Sequence, residues 1–158
     1  MTTGVGDRLL EFLRELSVIT TWSVVTEETA VGSKWQLGGA TWQATVVVER
    51  QRWLGLEFEA RDPATDRRAT YDIDTDSYDI GQDKQREFAE EIERDIVELL
   101  DNLRKGAVLR GTDGSKFVVV FPLNGSYVRV THGRFVSSAS TYSDLGAAQT
   151  GGGYVPVE

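Results

Sequence analysis

The sequence contains no cysteine, which removes a disulfide framework, a thiol nucleophile and any cysteine-ligated zinc from consideration. It has one histidine, His132, so a general base or nitrogen ligand would have to be that residue, with carboxylates as the substitute. His132 stands beside Gly133 in an expected two-residue turn, a poor place to hold an imidazole rigidly. No stretch approaches the ~18 consecutive apolar residues of a membrane span. The run Val46 to Val48 is closed off by Thr45 and Glu49. Met1-Thr2-Thr3-Gly4 carries no basic stretch ahead of an apolar run, so no secretory leader is expected and the expected compartment is the cytoplasm. Basic charge is also short: 17 Lys and Arg stand against 25 Asp and Glu, a net charge of −8. Such a chain repels phosphate backbones, so nucleic acid is not an expected partner, and neither is a membrane. Another protein, a basic one included, fits that charge, and a homodimer is compatible with it.

What is present suffices for one core. At 158 residues and 40% hydrophobic side chains, the chain has the size and apolar content of an ordinary domain. The expected fold class is α+β, with a single domain over residues 1–142 and a Gly/Ala-rich tail over 143–158. Leu9, Leu10, Phe12, Leu13 and Leu16 recur at helical spacing and predict a helix from about Val5 to Leu16. Phe88, Ile92, Ile96, Leu99, Leu100 and Leu103 predict a second, from about Lys84 to Lys105. Asp83 is its N-cap, Gly106 its stop, and Arg104 and Lys105 suit the negative end of its dipole. Strands are expected near Thr20–Glu27, Ser33–Leu37, Thr41–Arg50, Trp53–Arg61 and Arg67–Ile73. Trp42, Ala44, Val46 and Val48 alternate on one face, as do Leu54, Leu56, Phe58 and Ala60, which suits a sheet with one buried side. After the second helix come Ala107–Thr112, Ser115–Pro122, Ser126–Thr131 and Arg134–Ser138. Asp113-Gly114, Asn124-Gly125 and His132-Gly133 separate them as hairpin turns. The expected architecture is an antiparallel sheet, N-terminal strands plus C-terminal meander, with both amphipathic helices on one face.

The candidate sites are few. Asp72, Asp74, Asp76, Asp79 and Asp83 crowd the approach to the second helix, and alternate aspartates can converge oxygens on a hard cation. Read as a calcium loop starting at Asp72, the stretch fails. Ser77 stands at the sharp-turn glycine, Asp79 at the apolar position and Asp83 at the bidentate glutamate. No metal site is therefore assigned, with Asp72, Asp74 and Asp76 as weak candidates. Thr112-Asp113-Gly114-Ser115-Lys116 is neither a nucleophile elbow nor a phosphate loop, and a hairpin explains it fully. No catalytic residue or cofactor is assigned.

The tryptophans carry the remaining signal, since an indole offers a large apolar area with one donor. Trp42 shares the core face of its strand. Trp53 is offset by one from Leu54, Leu56 and Phe58 and so belongs to the opposite face, while Trp35 flanks a Gly-Gly turn where exposure is expected. Arg50, Arg52, Arg61, Arg67 and Arg68 form the one basic concentration. They are expected to pair with Glu49, Glu57, Glu59 and Asp66, each pair contributing roughly 0.2–1 kcal/mol. Trp35, Trp53, Arg50 and Arg52 are thus the expected binding surface. The reading that follows is a non-catalytic protein-binding module: a cytoplasmic chaperone, an inhibitor of the immunity type, or an assembly component. The alternative is a divalent-metal-dependent enzyme or small-ligand binder that uses the carboxylates between Asp72 and Asp83.

Overall fold

In the computed structural model, which describes residues 4–50, 52–133 and 136–158, the expected α+β class is realised with two antiparallel sheets. The first half gives α1 (Asp7–Ile19), β1 (Ser23–Glu28), β2 (Ser33–Gly38), β3 (Trp42–Glu49), β4 (Trp53–Arg61) and β5 (Arg68–Asp74). Then follow α2 (Asp83–Lys105), β6 (Leu109–Asp113), β7 (Lys116–Leu123), β8 (Ser126–Thr131), β9 (Ser138–Tyr142), α3 (Leu145–Ala148) and β10 (Gly152–Pro156). The strands do not form one sheet: β1-β2-β3-β4-β5 make the first and β10-β6-β7-β8-β9 the second. By compactness the chain falls into two units, Met1–Gly38 with Ala44–Glu57 and Asp72–Val97, and Gly39–Gln43 with Phe58–Tyr71 and Glu98–Glu158.

In the first unit, Leu9, Leu13 and Leu16 are fully enclosed, four and then three residues apart, which places them on one face of α1. The helix begins at Gly6 with φ of 90° and has no side-chain cap of its own. A β-carbon on Gly6 would come within 2.9 Å of the Arg50 side chain, so both backbone and space require glycine here. The N–H of Leu9, left over at the helix start, is met instead by Glu93 Oε2 at 3.1 Å. A carboxylate from α2 therefore caps α1.

That cap explains a departure in α2. Ile96, Leu99, Leu100 and Leu103 are buried as the periodicity implies, but Phe88 is 46% exposed and Ala89 takes its place. The buried stripe of α2 runs through Ala89, Glu93, Ile96, Leu100 and Leu103. It is set one residue later than the aromatic suggests, and that setting turns Glu93 inward.

In the second unit, β7 is buried almost end to end, from Phe117 to Phe121, as befits the middle strand of its sheet. The turn before it uses Gly114 with φ of 61°, and Asp113 pairs with Lys116, so the loop residues are Gly114 and Ser115. The turn after it has Asn124 and Gly125 at φ of 52° and 80°, the double positive φ that makes Asn-Gly a hairpin signal. The strand expected over 134–138 is instead β9, which starts at Ser138, opposite Thr131. Arg134 and Phe135 lie outside the described residues.

The Gly-rich C-terminal stretch is structured. Pro156 and Val155 pair with Leu109 and Arg110 of β6, and Ala148 packs with Val118 and Val120. Arg129 holds the stretch together from within. Its Nη1 donates to the carbonyls of Ala148 and Thr150 and to Tyr154, and its Nη2 to Asp113 at 2.8 Å. The side chain is only 9% exposed, and both terminal nitrogens find acceptors within the chain. Among the described residues, no helix is long and apolar enough to cross a membrane.

Glu93 makes the stability of this fold pH-dependent in a defined sense. Burial is the largest influence on its carboxyl and lifts the pKa above the ordinary 4.5, against the hydrogen bonds from Leu9 and Gly6 and the charge of Arg8. A raised folded-state pKa gives stability that is complete below the unfolded value and is lost as pH rises through the folded one. Denaturant titrations at stepped pH should show the wild type losing stability relative to Glu93→Gln as pH climbs from about 4.5. Parallel curves for the two proteins would mean that Glu93 titrates no differently in the fold.

Candidate binding site

The site grows from the parity of β4. Leu54, Leu56, Phe58 and Ala60 are at most 1% exposed, and successive side chains of a strand point to opposite faces. Trp53 must then leave by the other face, where it is half-buried. Its indole crosses Gly55 and donates from Nε1 to Asp74 Oδ1 at 2.7 Å. A β-carbon on Gly55 would lie 3.4 Å from that nitrogen, so a longer side chain there would displace the ring.

Asp74 is fixed in turn. The same oxygen accepts the N–H of Asp76 at 2.6 Å, and Asp76 has a left-handed φ of 54°, a conformation that aspartate tolerates better than most residues. Thr75, between them, is buried and bonds both the N–H and the carbonyl of Leu54. The acidic loop is thereby riveted to the start of β4. On the other side, Arg52 closes the link between β3 and β4. Its N–H donates to the Glu49 carbonyl at 2.9 Å and its guanidinium meets the Glu49 carboxylate at 3.0 Å.

Trp53, Arg52, Glu49, Asp74, Asp76 and Ser77 together line a recess of about 480 Å³. A second recess, of about 560 Å³, shares Arg52 and adds Arg50, Ile80 and Val31. Arg50 is paired with Asp7, and its carbonyl accepts the hydroxyl of Tyr78. That hydroxyl is pushed up to about 12, first by burial and then by the charge of Glu93, so it remains a donor.

Three of the four expected surface residues therefore come together. Trp35 does not. It is 6% exposed and its indole N–H donates to Ser33 Oγ at 3.0 Å. The cause is strand parity again, for Trp35 lies between Ser33 and Leu37 on the buried face of β2. Of the other arginines, Arg68 reaches Glu59 at 3.0 Å and Arg61 reaches Asp66 at 3.6 Å. Exposed pairs of this kind contribute little.

The metal candidates are dispersed. Asp72, Asp74 and Asp76 are exposed, and Asp74 is committed to Trp53 and Asp76. Further along, Asp79 accepts from Gly81 and Asp83 pairs with Arg86. Among the described residues, no group of three or more His, Asp or Glu side chains is placed to hold a metal ion. His132 Nδ1 lies 2.8 Å from the Arg68 carbonyl. A carbonyl only accepts, so Nδ1 carries the proton and the ring is tied to the backbone.

Sequence reasoning missed Glu93 and Arg129. Glu93 had a signal, being four residues after Ala89 and three before Ile96, within the buried stripe. Arg129 sits between Val128 and Val130 with no periodicity to mark it. No family model matches this chain, and no curated protein or solved structure matches it.

The dispersed carboxylates carry an expectation. Titration calorimetry with calcium should show no binding tighter than ~10⁻⁴ M, the range of weak extracellular modules. A micromolar site abolished by Asp74→Asn would contradict this placement of the aspartates.

Proposed function

We propose that the protein is a non-catalytic protein-binding module whose contact surface is the Trp53 recess and whose partner presents a basic segment there. The observation that carries this reading is the indole held in place over Gly55 by Asp74, half-exposed and ringed by Glu49 and Asp76. A preorganised aromatic with a polar rim is the arrangement that interface hot spots favour, because little side-chain entropy is lost on contact. The electrostatics favour a cation. Three carboxylates face one arginine in the recess, that arginine is already paired with Glu49, and the chain as a whole carries −8. A lysine or arginine laid on the exposed indole face would gain a cation–π contact of roughly 0.5–2 kcal/mol in addition to the carboxylates. Complementary charge of this kind also speeds encounter. Chaperone, inhibitor and assembly roles all use such a surface, and the partner decides among them.

The test is capture of the native partner, identified by mass spectrometry and then titrated against wild type and Trp53→Ala. The variant should keep its thermal midpoint within a few degrees and bind more weakly by ~2 kcal/mol or more, about thirtyfold. Loss of ~3–5 kcal/mol of stability instead, as for a truncated core aromatic, or undiminished capture, would remove Trp53 from the contact surface.

A further inference from the structure

Three carboxylates line the Trp53 recess, whereas the recess beside it is lined by two arginines and, among the described residues, by no acidic side chain. On a chain of net charge −8, this is a local reversal of sign. The other side chains around its 560 Å³ are all aliphatic: Val5, Ala30, Val31 and Ile80 stand with Arg50 and Arg52. Apolar walls with a few convergent polar groups, at a volume of this size, are the make-up of small-ligand sites.

The walls come from separate segments of the first unit, and each is fastened to a neighbour. Tyr78, itself buried, donates its N–H to the Arg52 carbonyl at 2.8 Å and its hydroxyl to the Arg50 carbonyl. One residue thus fixes the backbone at both arginines, and Ile80 follows it in the same loop. A β-carbon on Gly32 would run into the Val48 carbonyl oxygen. Glycine there lets the turn between β1 and β2 lie against β3 and brings Ala30 and Val31 to the recess. At the start of α1, Gly6 lies against the Arg50 side chain, and Val5 comes with it.

Both guanidinium groups are oriented without being exhausted. Arg50 meets Asp7, and Arg52 meets Glu49 at 3.0 Å, each through Nη2. Neither carboxylate lines the recess. A guanidinium carries five N–H donors in a planar fork, so one such pair leaves it capacity for a second planar anion.

We infer that this recess is a binding site for an aliphatic carboxylate, with the carboxylate received by Arg50 and Arg52 and the hydrocarbon laid against Val31 and Ile80. The fork of a guanidinium matches a carboxylate in shape. The two arginines and their two partners already cancel in charge, which suits a single added negative charge and opposes the doubled charge of a phosphate. A free aliphatic acid and the C-terminal residue of a peptide share this chemistry. The site does not depend on a basic partner at Trp53.

The test is a titration of the full chain, carbon-13-labelled in its methyl groups, with N-acetyl-leucine. The Val31 and Ile80 methyl resonances should move saturably at millimolar acid. N-acetyl-leucinamide, which keeps the hydrocarbon and loses the charge, should bind ~tenfold or more weakly, and inorganic phosphate should leave the methyls in place. Val31 is 51% exposed, so Val31→Asp adds a carboxylate to the recess without touching the core; it should abolish binding at an unchanged thermal midpoint. Trp53→Ala should bind the acid as the wild type does, which separates this site from the Trp53 surface. Hexanoate and the tripeptide Gly-Gly-Leu tell the two sources apart, the tighter of them identifying the source. The absence of saturable movement with the acid would overturn the inference. So would equal binding of acid and amide, equal shifts with phosphate, or binding that survives Val31→Asp.

Discussion

The molecule depends on the alternation of β4. Burying Leu54, Leu56, Phe58 and Ala60 to 1% exposure or less leaves no freedom in where the intervening residues go. Slipping the strand by one residue would trade four core side chains for Trp53, Gly55, Glu57 and Glu59, and two of those are carboxylates whose burial without partners costs several kcal/mol. Trp53 is thus held outside the core by its neighbours and not by any property of its own. Given that placement, Gly55 provides the room and Asp74 the acceptor that convert a displaced aromatic into an oriented one.

Two buried charges each hold a terminal segment within its own unit. Glu93 reaches from α2 to the start of α1, where glycine at position 6 supplies the turn but no cap. Arg129 gathers three acceptors of the C-terminal stretch and the Asp113 carboxylate around one guanidinium. Neither is a source of great net stability, because desolvation opposes the attraction. Removing the Asp113 carboxylate, however, would leave Arg129 a buried charge without its counter-ion, and breaking a buried pair costs up to about 3–5 kcal/mol. They act as locks on arrangement: one sets the rotation of α2, the other gives a glycine-rich stretch a fixed path.

Local rules carried the sequence reading as far as they extend. The alternation in β3 and β4, the Asn124-Gly125 turn and the leucine stripe of α2 are each written within a few neighbouring residues, and each is realised. Trp35 stands near the Gly-Gly turn, which suggests exposure, yet Leu37 two positions on shares its face and marks it as core. Phe88 looked like the first core residue of α2 because the buried carboxylate at Glu93, which sets the helix rotation, answers to α1 some eighty residues away. The division into two sheets and the ordering of the C-terminal stretch rest on pairings such as Val155 with Arg110, which no local pattern announces. Alternate aspartates in a loop, Asp72, Asp74 and Asp76, are the pattern of a cation site, but the chain turns left-handed at Asp76 and Asp74 is committed to the indole.

We propose that the Trp53 recess is an open, preorganised surface for a basic segment. The most direct measurement is a titration of the nitrogen-15-labelled protein with a short lysine-rich peptide, followed through the indole and backbone N–H resonances. The Trp53 indole N–H and the backbone N–H groups of Arg52 and Asp76 should move together and saturably, with an acidic peptide of equal length leaving them in place. Unmoved Trp53 resonances at saturating peptide, or shifts centred on Trp35 and β2, would contradict it.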